Sequence, residues 1–89
     1  MGLLIIRHKV SNFAKWKKFF DGHAAAQKAC GLTRPRIYRS AGDKNEIIVI
    51  LQMKDVRLAK TFGASPDLKS TMEAAGVIDQ PTVYMVNEA

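Results

Sequence analysis

Glu46-Ile47-Ile48-Val49-Ile50-Leu51-Gln52-Met53 is the stretch on which the fold turns. It is rich in β-branched residues, holds no Gly or Pro, and reads as a strand. Ile47, Val49, Leu51 and Met53 fall on one face, Ile48 and Ile50 on the other between Glu46 and Gln52. A strand with one wet face alternates apolar and polar residues. This one is apolar on both faces, so it belongs in the middle of a sheet with both sides covered. Immediately before it, Gly42-Asp43-Lys44-Asn45 has turn chemistry. Upstream of the turn, Thr33 to Ala41 reads as a strand with Arg36, Tyr38 and Ser40 on one side and Ile37 on the other. Leu3 to Val10 repeats the two-faced pattern: Leu4, Ile6, His8 and Val10 oppose Leu3, Ile5, Arg7 and Lys9. Pro81 opens a fourth strand, Thr82 to Asn87.

Helices fill the gaps. Ser11 is the expected N-cap of a first helix running to about Cys30, where Gly31 tolerates a left-handed backbone. Asp55 caps a second, Val56 to Phe62. Ser65-Pro66-Asp67 restarts it with a cap, a first-turn proline and an acid near the positive end of the helix dipole, and the segment ends at Gly76. The order β-α-β-β-α-β predicts an α+β, ferredoxin-like sandwich over residues 1–89, one domain with a four-stranded antiparallel sheet and helices on one face. Strands two and four are its edges, and Pro35 and Pro81 suit them, since a sheet tolerates proline at an edge or a strand start.

Helices bury only one face. Leu3, Ile5, Ile48 and Ile50 on the other would lie in water in a monomer, although each such side chain gains roughly 1.5–3 kcal/mol on full burial. The expected cover is the same sheet of a second copy, that is, a homodimer.

Composition narrows the function classes. The chain has 89 residues, net charge +6, 47% apolar and 25% charged residues, which is globular composition. Its apolar runs are too short for a membrane span, and the first is followed by Arg7, His8 and Lys9 rather than preceded by basic residues, so no signal peptide is read. The single Cys30 excludes an internal disulfide and a cysteine cluster, and a reducing cytoplasm is the expected compartment. No GxGxxG or GxxxxGK[ST] pattern occurs. With two His and one Cys at unsuitable spacing, neither a metal site nor a cofactor is expected. Residues 1–45 carry +8 and residues 46–89 carry −2. An RNA-binding sheet of this topology would place aromatic residues on its third strand. Here that strand has none, so nucleic acid is not the expected partner.

At 100° per residue, Phe13, Trp16, Phe19, Phe20, Ala24, Ala26 and Cys30 share one side of the first helix, opposite Lys15, Lys17, Lys18, Asp21 and Lys28. His23 lies inside the apolar arc, with Gln27 a turn beyond. His8 falls on the strand-one face assigned to the helices. An apolar gap with a few polar groups is the usual form of a small-molecule site. The candidate set is His23 as general base or hydrogen-bond donor, with His8, Trp16, Gln27, Tyr38 and Tyr84 binding substrate, Trp16 and Tyr84 as walls. A neutral imidazole near pH 7 suits proton abstraction from an acidic C–H or a phenol. The competing reading makes the histidines core residues bonded to carbonyls, and the tyrosines covers for strand edges.

Val10-Ser-Asn-Phe-Ala-Lys-Trp-Lys-Lys-Phe-Phe-Asp-Gly-His23, Gly31, the Arg36-Ile-Tyr-Arg39 strand, the Asn45-Glu46 lead-in to strand three, and Ala64-Ser-Pro-Asp-Leu-Lys69 with Met72 and Gly76 resemble the dimeric α/β-barrel superfamily over nearly the whole chain. The closest branch is antibiotic-biosynthesis-monooxygenase-like or cyclase-like. The resemblance implies a ferredoxin-like protomer, sheets paired face to face in a homodimeric α/β barrel, and a ligand site between sheet and helices. Among the superfamily's activities are cofactor-independent monooxygenases of aromatic polyketides and quinols, and haem degradation. Haem-degrading members use a strand-one Asn, a Trp later in the sheet and a His in the second helical region. This chain has His8 on strand one, its only Trp on the first helix and no His after residue 23. Two functions are therefore expected: a cofactor-independent monooxygenase or cyclase-type enzyme on an apolar or aromatic small molecule, or a non-catalytic ligand-binding or stress-related dimeric domain.

Overall fold

The computed structural model describes residues 2–89. Four strands, β1 (Gly2–Lys9), β2 (Leu32–Arg39), β3 (Glu46–Met53) and β4 (Thr82–Asn87), and four helices, α1 (Phe13–Gly22), α2 (Ala24–Ala29), α3 (Val56–Gly63) and α4 (Pro66–Ala74), follow in the order β1-α1-α2-β2-β3-α3-α4-β4. The strands form one antiparallel sheet in the order β2-β3-β1-β4. This is the expected α+β ferredoxin-like arrangement, with β1 and β3 central, β2 with its Pro35 at one edge and β4, which Pro81 precedes, at the other.

The face assignment follows from the register. Leu4 pairs with Leu51, Ile6 with Val49 and His8 with Ile47, so these side chains share a face. That face carries the core: Leu4, Ile47, Val49, Leu51 and Met53 are buried, together with Trp16 from α1 and Ala59 and Phe62 from α3. Leu3, Ile5, Ile48 and Ile50 lie on the opposite face and are only half-buried.

The end of β1 is tied down by the α4–β4 connection. Val10 bridges Val77, the Ser11 N–H donates to the Gly76 carbonyl at 2.9 Å, and the Ile78 N–H donates to the Lys9 carbonyl at 2.9 Å. Asp79 accepts from the Lys9 N–H at 2.7 Å and from Arg7 Nη1 at 2.9 Å. The Lys9 N–H, then the Arg7 charge, hold the Asp79 carboxyl below its ordinary pKa against some desolvation.

Three local expectations are corrected. Asn12, not Ser11, caps α1: its Oδ1 accepts from the Lys15 N–H at 3.0 Å, while Ser11 is engaged with Gly76. The first helix does not run unbroken to Cys30. His23 leaves helical geometry at φ −96°, ψ 3°, ending α1 and starting α2. Finally, β2 is interrupted between Thr33 and Arg36 by a bulge, where Arg34 takes φ 51°. Pro35 sits in that bulge on an edge strand, where its missing N–H breaks no ladder bond.

Candidate functional site

A cavity of about 70 Å³ opens between the sheet and the helices. Its floor is Ile6 and His8 of β1 with Val49 and Leu51 of β3. One wall is the apolar arc of α1 and α2: Trp16, Phe19, Phe20, His23 and Gln27. The other is Phe62 of α3 with Leu68, Thr71 and Met72 of α4, closed by Ala75. The cavity exists because α1 and α4 meet the sheet through different side chains. Trp16 is buried, stacks on Phe20 with ring centres 5.0 Å apart, and meets His8 edge-on at 5.6 Å. By contrast, α4 contributes no fully buried residue.

His8 is the unusual group. It is 3% exposed, and neither Nδ1 nor Nε2 has a hydrogen-bond partner. A neutral imidazole carries one N–H donor and one acceptor, and a buried polar atom left unpaired costs on the order of 1–3 kcal/mol. Desolvation pushes the His8 pKa below 6.5; the nearby Asp79 carboxylate opposes this and Arg7 adds to it. His8 is therefore a neutral acceptor and donor at pH 7, facing a mostly apolar space.

His23 stands at the other end. Its position at the α1–α2 break turns the ring against Phe62, centres 5.9 Å apart. Its Nε2 lies 4.0 Å from Asp67 Oδ2, beyond hydrogen-bond length. Four of the six expected site residues, His8, Trp16, His23 and Gln27, thus line one cavity. Tyr38 and Tyr84 do not. Tyr38 pairs with Ile48 and Tyr84 with Ile5, which puts both on the opposite face of the sheet, 47% and 58% exposed. Their expected place among the residues that bind substrate in this pocket is corrected on that ground. Sequence patterning missed Phe62, Leu68, Thr71 and Met72. The spacing of Leu68, Thr71, Met72 and Ala75 is helical and marks the inward face of α4, but a threonine within it masks the stripe.

Among the described residues, no group of three or more His, Cys, Asp or Glu is placed to hold a metal ion. No helix among them is long and apolar enough to cross a membrane.

The topology and the under-sheet cavity define a ferredoxin-like α+β domain with a small, mostly apolar internal site. Sequence comparison matches no family model and no curated protein. Solved structures do match. An antibiotic biosynthesis monooxygenase superimposes with a TM-score of 0.73 at 11% identity, covering 100% of this chain and 99% of that one. SnoaB, a cofactor-independent oxygenase from Streptomyces nogalater, gives 0.71 at 17% identity, with 99% and 94% covered. A monooxygenase from the gene ActVA-Orf6 of Streptomyces coelicolor, solved with the ligand nanaomycin D, gives 0.64 at 16% identity, with 99% and 87% covered. The chain has the fold of antibiotic-biosynthesis-monooxygenase-like proteins.

Proposed function

We propose that this chain is a small-molecule enzyme of the cofactor-independent oxygenase kind, acting on an apolar aromatic substrate in the cavity beneath β1 and β3. The observation that carries this reading is His8, buried and neutral with both ring nitrogens free, in a pocket that is otherwise nearly all apolar. A phenolic or acidic C–H group at that end finds an acceptor that no other protein group occupies. Proton transfer to His8 leaves an electron-rich anion. With dioxygen as co-reactant, a hydroxyarene and O₂ balance to a quinone and water with no added reductant. Of the two histidines, His8 is the better placed base, because His23 sits at the mouth beside Asp67 and meets the outer part of a ligand. The fold shared with SnoaB supports this reading.

The protein works as a homodimer whose outer sheet faces pack together, in a reducing compartment such as the cytoplasm that suits the free thiol of Cys30. Leu3, Ile5, Ile48 and Ile50, extended by Tyr38, Tyr84 and Val86 at the edges, supply the apolar surface.

One observation favours a second reading, a binding domain without catalysis: no group among the described residues hydrogen-bonds His8 to orient it as a base. At about 70 Å³ the cavity is well below the roughly 300–1,000 Å³ usual for drug-sized ligands, so a whole aromatic substrate must push a wall aside. The wall that yields is α4, which buries nothing fully and presents the flexible Met72. Oxygen uptake and absorbance with 1,5-dihydroxynaphthalene separate the two readings. Catalysis predicts protein-dependent conversion to 5-hydroxy-1,4-naphthoquinone that falls at least about a hundredfold in His8→Phe. Saturable binding with no turnover selects the binding domain.

A further inference from the structure

The two ends of α4 are held differently. Past its C-terminal end the Val77 N–H donates to the Met72 carbonyl at 3.1 Å, Val77 bridges Val10, and the Gly76 carbonyl accepts from the Ser11 N–H at 2.9 Å, so this end is tied to the end of β1. At the N-terminal end the Ala64 N–H donates to the Lys60 carbonyl at 3.0 Å, the Ser65 N–H to the Phe62 carbonyl at 3.2 Å, and Ser65 Oγ accepts from the Leu68 N–H at 3.4 Å. Among the described residues these bonds stay within α3, α4 and the link between them, and none reaches the sheet or α1. Ala64 and Ser65, at ψ −2° and 127°, break the chain between the two helices. Between these ends Leu68, Thr71 and Met72 wall the cavity, and none of them is fully buried.

One polar approach joins the loosely held end to the helix pair opposite. His23, at the α1–α2 break, has its Nε2 4.0 Å from Oδ2 of Asp67, which lies in the first turn of α4. Phe62 stands edge-on to the imidazole, whose side chain is 15% exposed, against 84% for Asp67. At 4.0 Å a neutral imidazole makes no hydrogen bond, whereas a protonated one attracts the carboxylate. The other charges near His23 are few. Lys18 of α1 lines the shallow groove beside it, and His8 of β1 lines the inner cavity. No charged side chain of α2 or α3 among the described residues lines either space. Lys69 and Glu73 of α4 line a separate groove, and Asp21 of α1 is held by Lys17. Asp67 is thus the acid that a charged His23 meets.

We propose that α4 is a lid, anchored at its Gly76 end and opening at its Ser65 end, and that His23 and Asp67 are its latch, which holds the cavity shut when the imidazole is protonated. This adds regulation to the cavity described above. It rests on the cavity being the ligand site only for its consequence, slower ligand entry and release at low pH. The latch is largely exposed, so its expected effect is about two- to fivefold.

Trp16 is the chain's single tryptophan, buried beside the cavity, so acrylamide quenching of its fluorescence lifetime reports opening without any ligand. Histidine side chains take up a proton between about pH 8 and pH 5.5. Over that range the quenching rate constant of the unaltered protein should fall about two- to fivefold at low ionic strength, and less at high salt. In Asp67→Asn and His23→Gln it should be equal at both pH values, with thermal melts showing each variant folded throughout. A constant that does not fall in the unaltered protein, or a fall that persists in either variant, overturns the latch and leaves the cavity reading standing. Stopped-flow mixing with 2-naphthol reads the consequence: association and dissociation should slow by the same factor at the lower pH, and unchanged rates would deny the lid its control of the site. If quenching behaves as expected and 2-naphthol does not bind, the cavity reading fails and the latch stands.

Discussion

His8 carries opposite consequences for stability and for binding. A buried imidazole with no partner for either nitrogen destabilises the chain that contains it. Phe at that position keeps the ring and removes both polar atoms. His8→Phe should therefore stabilise the protein by about 1 kcal/mol at pH 7, raising the melting temperature by roughly 4–8 °C for a domain of this size. The pH dependence has a definite sign. The folded-state pKa of His8 lies below 6.5, so above about 6.5 the imidazole is neutral in both states and costs nothing by titration. As pH falls through 6.5, the unfolded chain takes up a proton that the folded one refuses, and stability drops until the lowered folded pKa is passed. Thermal melts between about pH 7.5 and 5 should show that decline in the unaltered protein and a flatter profile in His8→Phe. An equally steep profile in the variant would assign the decline to other groups. Asp43 and Asp79, both lowered, lose their contribution only nearer about pH 4 and below. Period-two counting along Leu4, Ile6, His8 and Val10 already places His8 on the helix side of the sheet. Its lack of partners was not legible, because that depends on what the helices set against it.

At the scale of elements, the strand pattern was legible and the helix breaks were not. Ile47 to Met53 assigns its own faces, since apolar residues on both sides leave only a central position. The α1–α2 break falls in a stretch whose apolar periodicity continues straight through it, from Phe19 and Phe20 to Ala24 and Ala26. Periodicity reports which side is buried, and a one-residue departure at His23 leaves that side nearly unchanged. The bulge in β2 is of the same kind: Thr33 and Arg36 pair with Gln52 and Ile50, two residues apart, although they are three apart themselves. The face of Tyr84 was not legible for a simpler reason, because its parity against Ile5 follows only once the β1–β4 register is known.

The glycines separate structural need from tolerance among these elements. Gly76 takes φ +84° after α4, and a Cβ there would lie 2.5 Å from Ser11 Oγ. Gly76→Ala should cost about 1–3 kcal/mol, since both the backbone region and the space are wrong. At Gly22, in the last turn of α1, a Cβ would meet nothing within 4 Å. Gly22→Ala should be neutral or stabilise by up to about 1 kcal/mol through helix propensity. Chemical denaturation of the two variants checks this pair, and equal costs at both sites would contradict the backbone account.

At the scale of the molecule, the sheet separates two apolar faces with different roles. One is closed by helices around a small cavity; the other, Leu3, Ile5, Ile48 and Ile50, remains half-exposed in a single chain of 9.9 kDa. A homodimer should give a scattering mass of roughly 20 kDa, and Ile50→Lys, which puts a charge in the centre of that face, should return it to the mass of one chain. A single-chain mass for the unaltered protein at micromolar concentration would remove the dimer and leave the cavity unaffected. The +6 charge fits the same division: its basic excess lies on α1 and along the edge strand β2, and among the described residues no Lys or Arg lines the cavity, whose inner end is an uncharged imidazole. Function in this cavity requires that the imidazole meet a ligand. With only two histidines in the chain, the imidazole signals of His8 and His23 can be followed separately by NMR during titration with 2-naphthol. The prediction is a saturable shift of the His8 ring nitrogens larger than any at His23. His8 signals unmoved at saturating 2-naphthol would contradict it.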